Sequence, residues 1–100
     1  MIARTWRGVA IAGKADADVR HFTQTVAPGL KGLAGHRGAW LLRREVEGQT
    51  EFLSVTLWES RDSIHAFAGN DIDQAHVEPE ARAVLLKYDT FACHYEVAFP

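Results

Sequence analysis

Apolar residues recur at every second position in some stretches of the chain and at every third or fourth in others, and the order of these stretches permits few folds. Ile2 to Val9 reads as a strand. Short apolar and aromatic residues, Thr5 and Trp6 among them, run up to the breaker Gly13, after which the period changes. From Lys14 onward Val19, Phe22, Val26, Leu30 and Leu33 stand three and four apart, the stripe of a helix that buries one side. Pro28 and Gly29 interrupt it. Proline removes a backbone donor and disfavours helix in the residue before it, so a kink or break is expected near Ala27, with Gly32 to Gly35 ending the segment.

His36 to Glu45 and Glu51 to Trp58 are strand-like runs joined by Val46, Glu47, Gly48 and Gln49, a short polar connection that suits an antiparallel hairpin. In the second run Leu53, Val55 and Leu57 point one way and Ser54, Thr56 and Trp58 the other. Ser60 is an N-cap with Asp62 in the first turn, and Ile64, Phe67 and Ala68 form an apolar edge before Gly69 stops the helix. Asp71 and Gln74 read as a capping box opening another turn through His76, and Pro79 starts a third helical piece, Glu80 to Lys87. Thr90 to Phe99 closes as a strand with Phe91, Cys93, Tyr95, Val97 and Phe99 on one face.

Strand, helix, strand, strand, helix, strand is the ferredoxin-like βαββαβ order of the α+β class, a four-stranded antiparallel sheet with helices on one face. With 100 residues the chain builds one core, so residues 1–100 are expected as a single domain. The sheet face without helices still carries large apolar groups. A patch of that kind marks an interface, and a homodimer with facing sheets is the expected assembly.

A formal net charge of −2 with scattered basic residues argues against nucleic acid as a partner. No apolar run approaches the roughly 20 residues that span a bilayer, and MIARTWRGVA lacks the layout of a signal peptide, so a cytoplasmic protein without a membrane role is expected. The single cysteine, Cys93, rules out an internal disulfide and multi-cysteine metal motifs; in an apolar strand it reads as inert packing. Glycine-rich phosphate loops, Gly-x-Ser-x-Gly and metal-spaced His and Glu clusters are missing, so nucleotide, hydrolase and zinc readings have no support.

The stretch Phe52 to Val97, with SVTLWESRDSIHAFAG, NDIDQAH and HYEV, resembles the antibiotic biosynthesis monooxygenase-like family of dimeric α+β barrels. Its most specific pieces are Trp58-Glu59-Ser60, Ala66-Phe67-Ala68-Gly69 and His94-Tyr95-Glu96, while ARTWRG matches more loosely. The resemblance implies a homodimer with a pocket in each subunit between sheet and helices. It also implies a cofactor-independent monooxygenase acting on an aromatic or polyketide-like small molecule, such as an anthrone or hydroquinone, that supplies its own electrons. Fold alone does not decide chemistry, and a non-catalytic dimeric ligand-binding or accessory protein is the competing class.

Related haem-degrading monooxygenases carry an asparagine on the first strand, a tryptophan on the second helix and a histidine ligand shortly after. Here Trp6 falls at the asparagine, Phe67 at the tryptophan and His76 at the histidine, after a one-residue deletion in the connecting turn. Only the histidine is retained, so haem is the minor alternative, ligated by His76, and otherwise no cofactor is expected.

The candidate proton acceptors are His76 and His65, and Arg4, Trp6, Trp40, Thr56, Trp58 and Phe67 are the candidate pocket residues. Each also has a plainer reading. His76 can be a solvated cap at the end of a helical turn. His65 points roughly 200° away from Phe67 at about 100° per residue, which suits a surface role. His94 reads as structural, at the dimer contact. Trp6, Trp40 and Trp58 all occupy even-numbered strand positions and gather on one face if the registers permit, as pocket lining or as core. Arg4 shares the face of Trp6, where it can pair with a substrate carboxylate or phenolate or with a structural Glu.

Overall fold

In the computed structural model, which describes residues 1–100, the first alternating stretch becomes β1 (Ile2–Ala10) in the interior of an antiparallel sheet. The following helix is one rod wound in three ways: α1 (Ala15–His21), a π-helical segment (Phe22–Val26) and α2 (Ala27–Leu30). The interruption expected at Ala27 is therefore a change of winding and not a break. Pro28 has no N–H to give, and the wider turn just before it is closed by the Ala27 N–H donating to the Phe22 carbonyl five residues back.

β2 (His36–Val46) and β3 (Gln49–Trp58) form the expected hairpin. Its tip places Glu47 at φ 51° and Gly48 at φ 77°, the left-handed pair that matches the twist of the strands. α3 (Arg61–Ala68) starts at Ser60, whose hydroxyl accepts from the Ser63 N–H, and stops at Gly69 with φ 84°.

Beyond α3 the structure departs from the periodic reading. No helix opens at Asp71. Its side chain accepts from the Asp73 N–H in a tight turn, and the backbone of 73–75 runs against 90–92 through Ala75 N–H to Thr90 O and Ala92 N–H to Asp73 O. Groups that a helical turn would have paired internally are taken by that distant segment. Pro79 does start a helix, but α4 (Pro79–Arg82) is one turn long, and Leu85 to Lys87, expected as helix, belongs to strand β4 (Leu85–Tyr88). The closing strand is confined to β5 (Cys93–Glu96). β4 pairs with Gly8–Ala10 and β5 with Ile2–Thr5, so both occupy the same edge of β1 and act as a fourth rail in two pieces. The unpaired edge of β1 explains the strand state of both, since it offers backbone partners that an isolated helical turn lacks. The sheet runs β2, β3, β1 and then β4 with β5.

Helices cover one face only. Leu30 from α2, Trp58 from β3 and Ile64 from α3 are fully buried together, with Ile2, Val26, Phe67 and Ile72 packed around them. On the opposite face Trp40 and Tyr95 are 48% and 57% exposed, next to Leu42 at 50%. Cys93, expected as packing, is exposed on that side.

Candidate functional site

Between the sheet and the rod α1 to α2 lies a cavity of about 90 Å³, lined mainly by apolar side chains. Its floor follows from register. β1 and β3 pair Arg4 with Thr56, Trp6 with Ser54 and Gly8 with Phe52, and side chains on directly opposed strand positions share a face. Asp18, His21, Phe22 and Val26 form the roof; Phe67, His76, Glu78 and Ala81 close the sides.

Arg4 is 7% exposed. Its Nε and Nη2 donate to the Ile72 carbonyl at 3.4 Å each, and Nη2 also donates to Gln74 O at 3.1 Å. The guanidinium lies 5.4 Å from the centre of the Phe67 ring. No carboxylate pairs with it, and Nη1 has no partner in the protein. Burial lowers the Arg4 pKa, with the Asp73 carboxylate opposing. Across the sheet pairing from Arg4 stands His94, whose side chain is 2% exposed. Its Nδ1 lies 3.0 Å from Asp73 Oδ1 in a direction too oblique for a hydrogen bond, and Nε2 has no partner. Burial first and the Arg4 charge second push the His94 pKa down, against Asp73. Both effects favour the neutral imidazole over a second buried cation beside Arg4.

The other floor residues are fixed from behind. Trp6 Nε1 donates to Asp89 O at 2.7 Å, so its indole serves the cavity as a wall and not as a donor. Thr56 Oγ1 accepts from Trp58 Nε1 at 2.9 Å, which leaves the threonine O–H free to donate elsewhere.

Of the residues singled out from sequence, Arg4, Trp6, Thr56, Phe67 and His76 all line this cavity. Three do not. Trp58 is core: fully buried, with its ring 5.9 Å from that of Phe67 and inclined to it by 29°, behind the wall. Trp40 is on the opposite face, paired with Val55, because a bulge between His36 and Gly38 shifts the β2–β3 register by one residue and reverses the parity of everything after it. His65 is exposed at the end of α3, its Nδ1 2.7 Å from the Gly69 carbonyl, and stays outside the cavity. His76 is exposed at the margin, in an irregular stretch and not at a helix end.

Sequence reasoning passed over Asp18 and His21. Asp18 is 9% exposed, accepts no hydrogen bond and forms no ion pair, and burial raises its pKa, with His21 opposing. The signal was present: Asp18 stands four residues before Phe22, a member of the apolar stripe, and so shares its side of the helix.

An antiparallel ferredoxin-like sheet, helices on one face and an apolar cavity with a few buried polar groups define a class of small α+β proteins built around a small-molecule site. The chain belongs to the antibiotic biosynthesis monooxygenase family, whose sequence model matches residues 7–79. No curated protein matches it. Among solved structures it resembles a putative antibiotic biosynthesis monooxygenase from Bacillus cereus, with TM-score 0.65, 17% identity and coverage of 99% of this chain and 94% of the other. The heme-degrader MhuD from Mycobacterium tuberculosis, with two hemes bound in its active site, superposes with TM-score 0.69 and 21% identity over 100% of this chain and 98% of its own. A putative antibiotic biosynthesis monooxygenase from Chloroflexus aurantiacus gives TM-score 0.58 and 14% identity over 94% and 89% of the two chains. These likenesses establish the fold.

Proposed function

We propose that the protein is a cofactor-independent monooxygenase that takes a small phenolic aromatic compound into the cavity beneath α1. The observation that carries this reading is Arg4: a buried cation on the floor of an apolar cavity with no carboxylate partner and one unused nitrogen. An anionic oxygen of a ligand completes it, and a phenolate or enolate is such an oxygen. Thr56 can donate a second hydrogen bond, Trp6 and Phe67 supply flat apolar walls, and His76 at the margin can accept a proton. The reaction is balanced without a cofactor: a ring-activated CH2 and O2 give C=O and water, the substrate supplying the electrons. The cavity has room for about six to nine waters at 10–15 Å³ each, the scale of a single aromatic ring.

Oxygen uptake with a panel of single-ring hydroquinones, in the presence of chelator, tests this. Uptake that matches product formation is the expected result. Binding without any uptake would leave the accessory, ligand-binding class. A porphyrin is far larger than the cavity and requires the walls to part, so titration with haem is expected to give no Soret band of a histidine-ligated iron.

We also propose that two copies pair through the helix-free face, a reading supported by the exposed Trp40, Leu42 and Tyr95. Sedimentation velocity should find a dimer, and a monodisperse monomer at micromolar concentration would contradict it.

A further inference from the structure

We infer that Asp18, and not His76, is the group that takes the proton from the bound phenol. The inference rests on the reading of the cavity as a phenol site. Asp18 stands on the roof, across the cavity from the floor that holds Arg4. Asp18 as a residue is 9% exposed, and its carboxylate has neither hydrogen bond nor ion pair, so both oxygens are unspent and open to the cavity. Burial of a carboxylate in that state costs stability, which its place in the first turn of α1 and the nearby His21 offset only in part, since its pKa is still raised. Groups kept under such conditions belong to sites where a ligand or a proton completes them. Burial strengthens its hold on a proton, the property a base for a weakly acidic phenol requires.

His76 lacks this setting. It is exposed at the cavity margin, in a stretch without regular structure, whereas Asp18 is carried by a helix that fixes it above the floor. In the step itself the phenolic O–H bond breaks and its electron pair stays on the oxygen, in the positive potential that Arg4 gives the shared cavity. The new O–H bond forms on the Asp18 carboxylate. His21, one turn along the same rod and also on the cavity wall, then carries the proton toward solvent.

The probe is 4-nitrophenol, studied by calorimetry in two buffers of different ionisation enthalpy at a pH where the free probe is phenolate. A carboxylate and a phenolate in one small cavity share a proton. Wild type is therefore expected to take up about one proton per probe bound, and Asp18→Asn none. Equal uptake by both proteins, or none by wild type, overturns the inference, as does a probe that fails to bind. In oxygen uptake, Asp18→Asn is expected to lose about 10²- to 10⁴-fold in kcat with little change in KM. Full kcat in Asp18→Asn, with the loss falling on His76→Gln instead, also overturns it. If wild type consumes no oxygen with any compound, the oxygenase reading fails, while the proton-uptake measurement still decides the role of Asp18.

A melting series against pH separates this from a structural role. The Asp18 pKa is raised in the folded chain, so its contribution to stability is fully present below the ordinary value of 3.8 and is lost as pH rises through the folded value. Asp18→Asn should therefore melt higher than wild type at neutral pH, with the gap closing as pH falls toward 3.8. An aspartate kept for structure would give the opposite sign.

Discussion

Arg4→Met is expected to lower kcat/KM for a phenolic substrate by about 10²- to 10³-fold, the usual effect of removing one positioned donor from a developing oxyanion. The argument starts from what holds the side chain. Three hydrogen bonds to the carbonyls of Ile72 and Gln74 aim the guanidinium, and the Phe67 ring lies beside it. Those bonds position the charge without neutralising it, so the positive potential is available to the cavity. Methionine fills similar space and is apolar. It leaves the two carbonyls without that donor, at about 1–3 kcal/mol for a buried group, and removes a buried cation whose own desolvation was costly. Stability should therefore move much less than turnover. Arg4→Lys keeps the charge and loses the planar fork, so it should recover only part of the activity. Steady-state oxygen uptake together with 4-nitrophenol affinity checks both variants. Wild-type kcat/KM in a folded Arg4→Met protein would remove Arg4 from the mechanism, and should that variant fail to fold, Arg4→Lys carries the same test.

Trp58→Ala should cost about 3–5 kcal/mol of folding free energy. Trp58 is fully buried at the end of β3, where it contacts Leu30 and Ile64 from two different helices, stacks with Phe67 and meets the His36 ring edge-on at 5.1 Å. Truncation opens a void between sheet and helices that no neighbour can fill, and it strips Thr56 of its hydrogen bond. Domains of this size have about 5–15 kcal/mol in total, so urea denaturation should show a large fall in midpoint. Trp58→Phe should retain most of the packing. The cavity feels the loss as well, because Phe67 is the layer between Trp58 and the ligand space. A Trp58→Ala protein as stable as wild type would mean that the indole is not what joins the two helices to the sheet.

The elements with strong local signals were legible from the chain alone. β1, the β2–β3 hairpin and α3 with its Ser60 cap depend on period, turn residues and capping groups that act within a few positions. The stretch after Gly69 was not, since its helical signals at Asp71 and Pro79 are weak and the edge of β1 offered backbone partners that outweighed them. In the site, Arg4, Trp6 and Thr56 could be placed on one face by alternation, and Phe67 and His76 by resemblance.

By itself, then, the amino-acid sequence determined the order of elements as far as Gly69, the one-sided helix cover and the even-numbered face of β1 and β3, because these follow from repeats of two and of three to four. Tertiary structure alone decided that Trp40 leaves that face, that Trp58 retreats behind Phe67, and that an unpaired Asp18 lines the same cavity as Arg4. The reason is physical. Parity survives along one strand but not across a bulge, and whether a carboxylate meets a cation, water or nothing depends on residues far away in the chain.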